Sequence, residues 1–188
     1  MTTAVADTET LYPLSRFCER DGHPLPSAEV VEGAVVPEPY RRLLVHFGDM
    51  TSRLEQFHQA PMKLRVLHRE EAGDTYRREV LLCAQYSGRP VEYGAIEINL
   101  AAFPPVLREL ILEGRTPLGG LLNVHGIRYY SRPRAFFRFT AGRLMSAHFE
   151  LEDAPTLYGR SNTLLDEADH VLARIVEVLP PTDPTKAP

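Results

Sequence analysis

Two charged residues stand where strand alternation calls for apolar ones. In Tyr76-Arg77-Arg78-Glu79-Val80-Leu81-Leu82, a period of two puts Arg78 on the face of Tyr76, Val80, Leu82 and Ala84, while Arg77 and Glu79 share the other. The first set is the more apolar, so it should meet the core and bury Arg78. Near the end of the chain the anomaly returns with opposite sign. Val171, Ala173, Ile175, Glu177 and Leu179 share one face, and Leu172, Arg174, Val176 and Val178 share the other. Both faces are mostly apolar, so Glu177 should be partly buried whichever one faces inward. A buried ion is unfavourable by several kcal/mol unless it is paired and hydrogen-bonded. A structural ion pair and a ligand site both satisfy that condition, and these two residues alone leave both open.

A third feature concerns anions. Thr116-Pro117-Leu118-Gly119-Gly120 reads as a helix start, with Thr116 as cap and Pro117 in the first helical position. The Leu118 N–H is then unpaired at the helix end and available to a carboxylate. Met50, just ahead of a capping box from Ser52 to Glu55, offers a similar N–H. Gly119 and Gly120 allow a ligand or another backbone to come close. An ordinary capped helix explains the same residues without any ligand.

The elements that must position these groups follow from periodicity. Helices are expected over Pro39–Phe47, where Tyr40, Leu43, Leu44 and Phe47 have helical spacing, and from about Ser52, with Leu54 and Phe57 on one side. Met62, Leu64 and Val66 alternate with charged residues and predict a strand; Tyr76–Gln85 and Val91–Leu100 follow, joined by a turn at Ser87-Gly88-Arg89-Pro90. Helices are predicted around Pro104–Leu112 and from Thr116, then strands over Arg128–Phe139, Leu144–Leu151 and Leu172–Leu179. Successive strands with short turns favour an antiparallel sheet with helices on one side, an α+β domain. Residues 1 to 25 read as a loosely docked arm, 26–180 as one domain, and 181–188, with Pro180-Pro181-Thr182-Asp183-Pro184 at its start, as a flexible tail.

Composition narrows the function classes. The chain has 188 residues, 44% hydrophobic and 24% charged, enough for one full core and unlike a disordered segment. No apolar run reaches the ~18–20 residues that cross a bilayer, and the start lacks a signal-peptide pattern. With two cysteines, Cys18 and Cys83, a disulfide framework is not expected, and a cytoplasmic protein is. The net charge of −4 argues against a nucleic-acid partner. Arg128, Arg132, Arg134 and Arg138 interleave with aromatic residues, a pattern that single-strand binders use, but an amphipathic strand with exposed arginines explains it too. No HxxxH, HExxH or CxxC spacing occurs, so no metal site is expected. Asp166-Glu167-Ala168-Asp169-His170 reads as a solvated turn.

The blocks that hold these features, taken in order, resemble the chorismate pyruvate-lyase family. They are Met50-Thr51-Ser52-Arg53-Leu54-Glu55-Gln56, Arg78-Glu79-Val80-Leu81-Leu82-Cys83-Ala84, Gly88-Arg89-Pro90 leading to Gly94, Arg115-Thr116-Pro117-Leu118-Gly119, Tyr158-Gly159-Arg160-Ser161 and Ile175-Val176-Glu177-Val178-Leu179-Pro180. Each is short, but together they run in order from about residue 40 to 180. The resemblance implies a six-stranded antiparallel sheet with helices packed on one face and an internal ligand cavity. It implies elimination of pyruvate from chorismate to give 4-hydroxybenzoate, with no cofactor, in a monomer that does not insert into membranes. It also implies that Arg78 and the amides of Met50 and Leu118 hold the ring carboxylate, while Glu177 bonds the ring hydroxyl. Arg78 and Glu177 are then the catalytic candidates, and Met50 and Leu118 complete the substrate-binding set. Gly120 and Ala95 depart from the pattern, standing where relatives often carry a basic residue. Arg160 and Arg128 are the candidates for binding the second carboxylate of chorismate.

A closed cavity that grips groups the product retains would also give strong product inhibition. Two other readings fit the same residues. One is a non-catalytic aromatic-acid binder, since this fold also serves as the effector-sensing domain of transcription regulators. The segment before Tyr40 shows no helix-turn-helix pattern, so such a regulator would act through a partner. The other is a lyase acting on a different hydroxylated cyclic acid.

Overall fold

The computed structural model describes residues 4–182. Eight strands form one sheet: β1 (Ala4–Val5), β2 (Ala28–Val31), β3 (Met62–Ala72), β4 (Thr75–Ala84), β5 (Pro90–Asn99), β6 (Tyr130–Thr140), β7 (Thr156–Leu165) and β8 (Val171–Leu179). Their order is β1-β2-β6-β7-β8-β5-β4-β3, and every neighbouring pair is antiparallel. Six helices pack on it: α1 (Leu14–Asp21), α2 (Tyr40–Leu44), α3 (Met50–His58), α4 (Pro105–Glu113), α5 (Leu118–Val124) and α6 (Arg143–Phe149). The α+β antiparallel architecture is the one expected, with eight strands in place of six.

Helices cover both faces of the sheet. Leu43, Leu44 and Leu54 of α2 and α3 pack on Leu64, Val80 and Leu82, and Leu107, Ile111 and Leu122 of α4 and α5 pack on Tyr76, Ile96 and Leu164. The opposite face carries Leu81, Tyr93, Phe137 and Val176, covered by Leu14 and Phe17 of α1 and Met145 and Phe149 of α6. Helices on a single face therefore describe α2–α5 only. The segment expected to be a loose arm supplies Leu11, Leu14, Phe17 and Cys18, all buried, and its β1 pairs with β2 at the edge of the sheet. Of the expected tail, residues 183–188 lie outside the described residues.

One strand was expected in the wrong place. Leu144–Leu151 is largely helix, because Met145 and Phe149, four residues apart, bury one side of α6. The strand is β7 instead. Its sheet face toward α2–α5 carries Tyr158, Arg160, Asn162 and Leu164, so polar residues mask the alternation that would have announced it. The helix caps also shift. Asp49 caps α3, its Oδ1 accepting from the Ser52 N–H at 2.7 Å, and Pro117 rather than Thr116 precedes α5. Glu55 closes no capping box; its carboxylate accepts from the Met62 N–H at 3.0 Å.

Candidate functional site

The register of the sheet sets the site. Arg78 pairs with Ile96, and Ile96 with Ile175, so Arg78 projects toward α4 and α5 from the same face as those two residues. One alternation further along, Val80 pairs with Gly94, Gly94 with Glu177, and Glu177 with Arg160. Arg78 and Glu177 thus lie two strand spacings across and two residues along, a Cα separation of about 12 Å. Both line one cavity of about 70 Å³, together with Met50, Leu118, Glu92 and Arg160. A single water needs about 10–15 Å³ of such space and a benzene-binding cavity about 150 Å³, so this one has room for several waters and would have to widen to take a ring. Its walls are apolar at Leu64, Val80, Leu82, Ile96, Leu164 and Ile175. Less buried residues, Gly48, Asp49, Thr51, Pro117, Gly119 and Tyr129, form its rim, where the starts of α3 and α5 meet.

Arg78 is 1% exposed, and no carboxylate among the described residues pairs with it. Its Nη1 donates to the Ile111 carbonyl at 3.3 Å, and its Nε–H has no acceptor. That carbonyl belongs to the last turn of α4, whose partial negative charge favours a cation. Burial pulls the Arg78 pKa down, though from so high a starting value that the charge remains. The result is a cation with donor capacity left over, facing a cavity.

Glu177 stands at the other end. It makes no contact with Arg78; it accepts from Nε of Arg160, itself 0% exposed. Arg160 is fixed further by the carbonyls of Leu44, at 3.0 Å, and His46, at 3.2 Å. The adjacent His46 ring is neutral, its pKa pushed down to about 4 by burial and then by the charge of Arg160. Its Nε2–H donates to the Leu43 carbonyl at 2.7 Å while Nδ1 accepts from the Gly48 N–H at 3.1 Å, which sets the tautomer. Behind the pair, Gly159 lets β7 and β8 approach. A Cβ there would run into the Glu177 carbonyl oxygen and lie 2.9 Å from Phe139 Cε2.

Met50 and Leu118 each open a helix and line the cavity. Neither amide is taken by another backbone carbonyl among the described residues. Arg160 is inside the cavity wall, committed to Glu177. Arg128 is outside it, with its side chain 81% exposed and paired with Glu167 at 3.1 Å. The sequence reading missed Glu92, a buried carboxylic acid in the wall whose Oε2 has no partner. It also missed Tyr129 at the rim, whose phenol is pushed up to about 12 by burial and the nearby Asp49, and which donates to Asn123 Oδ1 at 3.3 Å. The signal for Glu92 was present: on β5 it interrupts the face continued by Gly94, Ile96 and Ile98, as Arg78 interrupts β4.

A second polar cluster lies on the opposite face. Glu79, 2% exposed, accepts from Tyr93, from Arg20 at 3.2 Å and from His68 Nδ1 at 2.8 Å, while Arg20 also bonds Asp21 at 2.6 Å. Asp21, His68 and Glu79 hold their ligand-type atoms within 4.8 Å of one another, but Arg20 neutralises both carboxylates and makes this a structural network. No helix among the described residues is long and apolar enough to cross a membrane.

No protein-family model matches this chain, and no curated protein matches it in sequence. Solved structures do match. The effector domain of PhnF from Mycobacterium smegmatis is similar over 70% of this chain and 88% of its own, with a TM-score of 0.53 and 12% identity. A gene product of Staphylococcus aureus is similar over 73% of this chain and 90% of its own, with a TM-score of 0.55 and 9% identity. YydK of Bacillus subtilis, a possible transcriptional regulator, gives a TM-score of 0.51 at 8% identity, and there the match spans 68% of this chain and 59% of that one. The likeness is one of fold.

Proposed function

We propose that the cavity binds a small ring acid carrying one carboxylate and, across the ring, a hydroxyl. One observation carries this reading: the buried Arg78 guanidinium keeps unused donors facing a cavity whose far end holds Glu177. A carboxylate at Arg78 would complete a charge-assisted fork, with the amides of Met50 and Leu118 as further donors. A ring hydroxyl at the far end would donate to Glu177. Charge favours a monoanion such as 4-hydroxybenzoate. The cations among the described residues lining the cavity are Arg78 and Arg160, and Arg160 is already paired. The likeness in fold to the effector domain of PhnF supports a binding role that needs no chemistry.

The second reading is catalytic, and the resemblance of six sequence blocks to the chorismate pyruvate-lyase family favours it. In that reaction the ring carbon–oxygen ether bond of chorismate breaks and the hydroxyl-bearing carbon loses its hydrogen as a proton. The ring becomes aromatic, and the enolpyruvate that leaves gains a proton to become pyruvate. Aromatisation drives the step. Arg78 and the two amides would position the ring, and Glu177 would orient the hydroxyl or take the proton. The apolar walls would strengthen these polar contacts by excluding water. Release of 4-hydroxybenzoate would then be slow, and the product would inhibit.

Incubating the purified protein with chorismate and assaying pyruvate and 4-hydroxybenzoate separates the two readings. Turnover abolished by Glu177→Gln and by Arg78→Ala supports the lyase. Saturable binding of 4-hydroxybenzoate without turnover supports the binder. Neither turnover nor binding refutes both.

A further inference from the structure

Glu92 has no role in the reading above, yet it is the most unusual group in the cavity. A carboxyl side chain buried with one oxygen unpartnered is destabilising for the fold, and an apolar residue of similar size would avoid that. Its position is informative. Gly94 pairs directly with Glu177, so Glu92, two residues before Gly94 on the same face, is the diagonal neighbour of Glu177, about 7–8 Å away between Cα atoms. Gly94 leaves the space between them open: a Cβ there would lie 3.4 Å from Glu92 Oε1 and 3.1 Å from Val80 Cγ2.

Glu92 and Glu177 therefore look into the same end of the cavity, and only Glu177 has a cationic partner bonded to it. From β4 the facing residues are Val80 and Leu82, which are apolar; the charged groups are Glu177 on β8 and Arg160 on β7. Burial, and next the negative charge of Glu177, push the Glu92 pKa well above the usual carboxylate range, with Arg160 opposing. A neutral acid offers an O–H donor that a carboxylate lacks.

Resting on the ring-acid reading, we propose that Glu92 determines specificity: as a neutral acid it donates a hydrogen bond to the hydroxyl oxygen whose proton Glu177 accepts. One donor and one acceptor together match a hydroxyl, which is both. A hydrogen or methyl in its place leaves Glu92 unsatisfied and Glu177 with Arg160 alone, and a carboxylate in its place meets the charge of Glu177. Among the buried charges, Arg78, Arg160 and Glu177 total +1 when Glu92 is neutral, which one monoanionic ligand cancels, while the carboxylate of Asp49 stands out at the rim.

The test is calorimetric titration of 4-hydroxybenzoate, benzoate and benzene-1,4-dicarboxylate into wild type, Glu92→Gln and Glu92→Leu, with melting curves to confirm folding. Wild type should prefer 4-hydroxybenzoate over both other acids by at least about tenfold. Glu92→Gln, which keeps a neutral donor, should hold most of that preference, while Glu92→Leu should lose it. As pH rises through the Glu92 titration, wild-type affinity should fall relative to that of Glu92→Gln, up to about tenfold per pH unit above it. An infrared band of a protonated carboxyl should be present in wild type at pH 7 and absent from Glu92→Gln. The proposal is overturned if Gln and Leu behave alike, if Leu keeps the preference, or if the infrared band is missing. Should wild type bind none of the three acids, the ring-acid reading itself falls; should it bind 4-hydroxybenzoate while any of those results holds, the Glu92 role alone is refuted.

Discussion

Replacing Arg78 by methionine should leave the protein at least as stable while abolishing the proposed ring-acid binding. Methionine has similar length and flexibility, so the loss of packing is small. Removing the guanidinium removes a buried charge that has no carboxylate partner and an Nε–H without an acceptor. The effective penalty for such an ion is several kcal/mol, of which the Ile111 carbonyl and the end of α4 offset up to about 2. A net gain of about 1–4 kcal/mol in unfolding free energy is therefore expected, from urea melts in the absence of ligand. Binding should move the other way. Loss of one partner of a buried, hydrogen-bonded charge pair costs about 2–5 kcal/mol, or roughly thirtyfold to several thousandfold in Kd. Titration of 4-hydroxybenzoate into the variant measures that loss. An Arg78→Met protein destabilised by more than about 1 kcal/mol, with ligand affinity intact, would mean that Arg78 is structural and the reasoning wrong.

Arg160 should behave in the opposite sense. Arg160→Met strands Glu177 without its partner and should lose about 3–5 kcal/mol, and adding Glu177→Leu should restore most of it in a double-mutant cycle. Gly94→Ala narrows the floor of the cavity against Val80 and Glu92; melting should change little, and 4-hydroxybenzoate affinity should drop at least about tenfold. Gly159→Ala drives a methyl into the β8 backbone and Phe139 and should destabilise by about 3 kcal/mol or more, measured by urea melts. For pH, the His46 pKa is depressed from 6.5 to about 4 in the fold, so the unfolded chain binds more protons between those values. Stability should fall as pH drops through that window, by on the order of 2 kcal/mol more in wild type than in His46→Gln. Burial lowers the pKa of His58 and His148 in the same direction, which is why the comparison with the single variant matters.

Much of the cavity lining was legible because it breaks rules the rest of the chain obeys. Arg78 and Glu177 interrupt apolar faces, and the register brings them to one cavity from strands almost a hundred residues apart in sequence. Leu118 reads from sequence as part of a helix start and Met50 as lying just ahead of one; the caps fall one residue later at α5 and three residues earlier at α3, which leaves both amides at the helix ends. Glu92 obeyed the same logic as Arg78 and went unread. Arg160 reads from sequence as a free cation; its pairing with Glu177 depends on the register between β7 and β8, which no local pattern specifies. Local patterns also hid β7, whose cavity face is polar, and gave no sign that α1 and α6 would cover the second face. Glu79 sits on that face: alternation placed it opposite Arg78, but its burial depends on helices from distant parts of the chain.

A crystal structure with 4-hydroxybenzoate tests the central claim most directly. The ring should lie between β4 and β8 with its carboxylate within hydrogen-bonding distance of the Arg78 guanidinium and the amides of Met50 and Leu118, and its hydroxyl against Glu177. A ring bound elsewhere, a carboxylate turned toward Arg160, or an unchanged cavity at saturating ligand would contradict it.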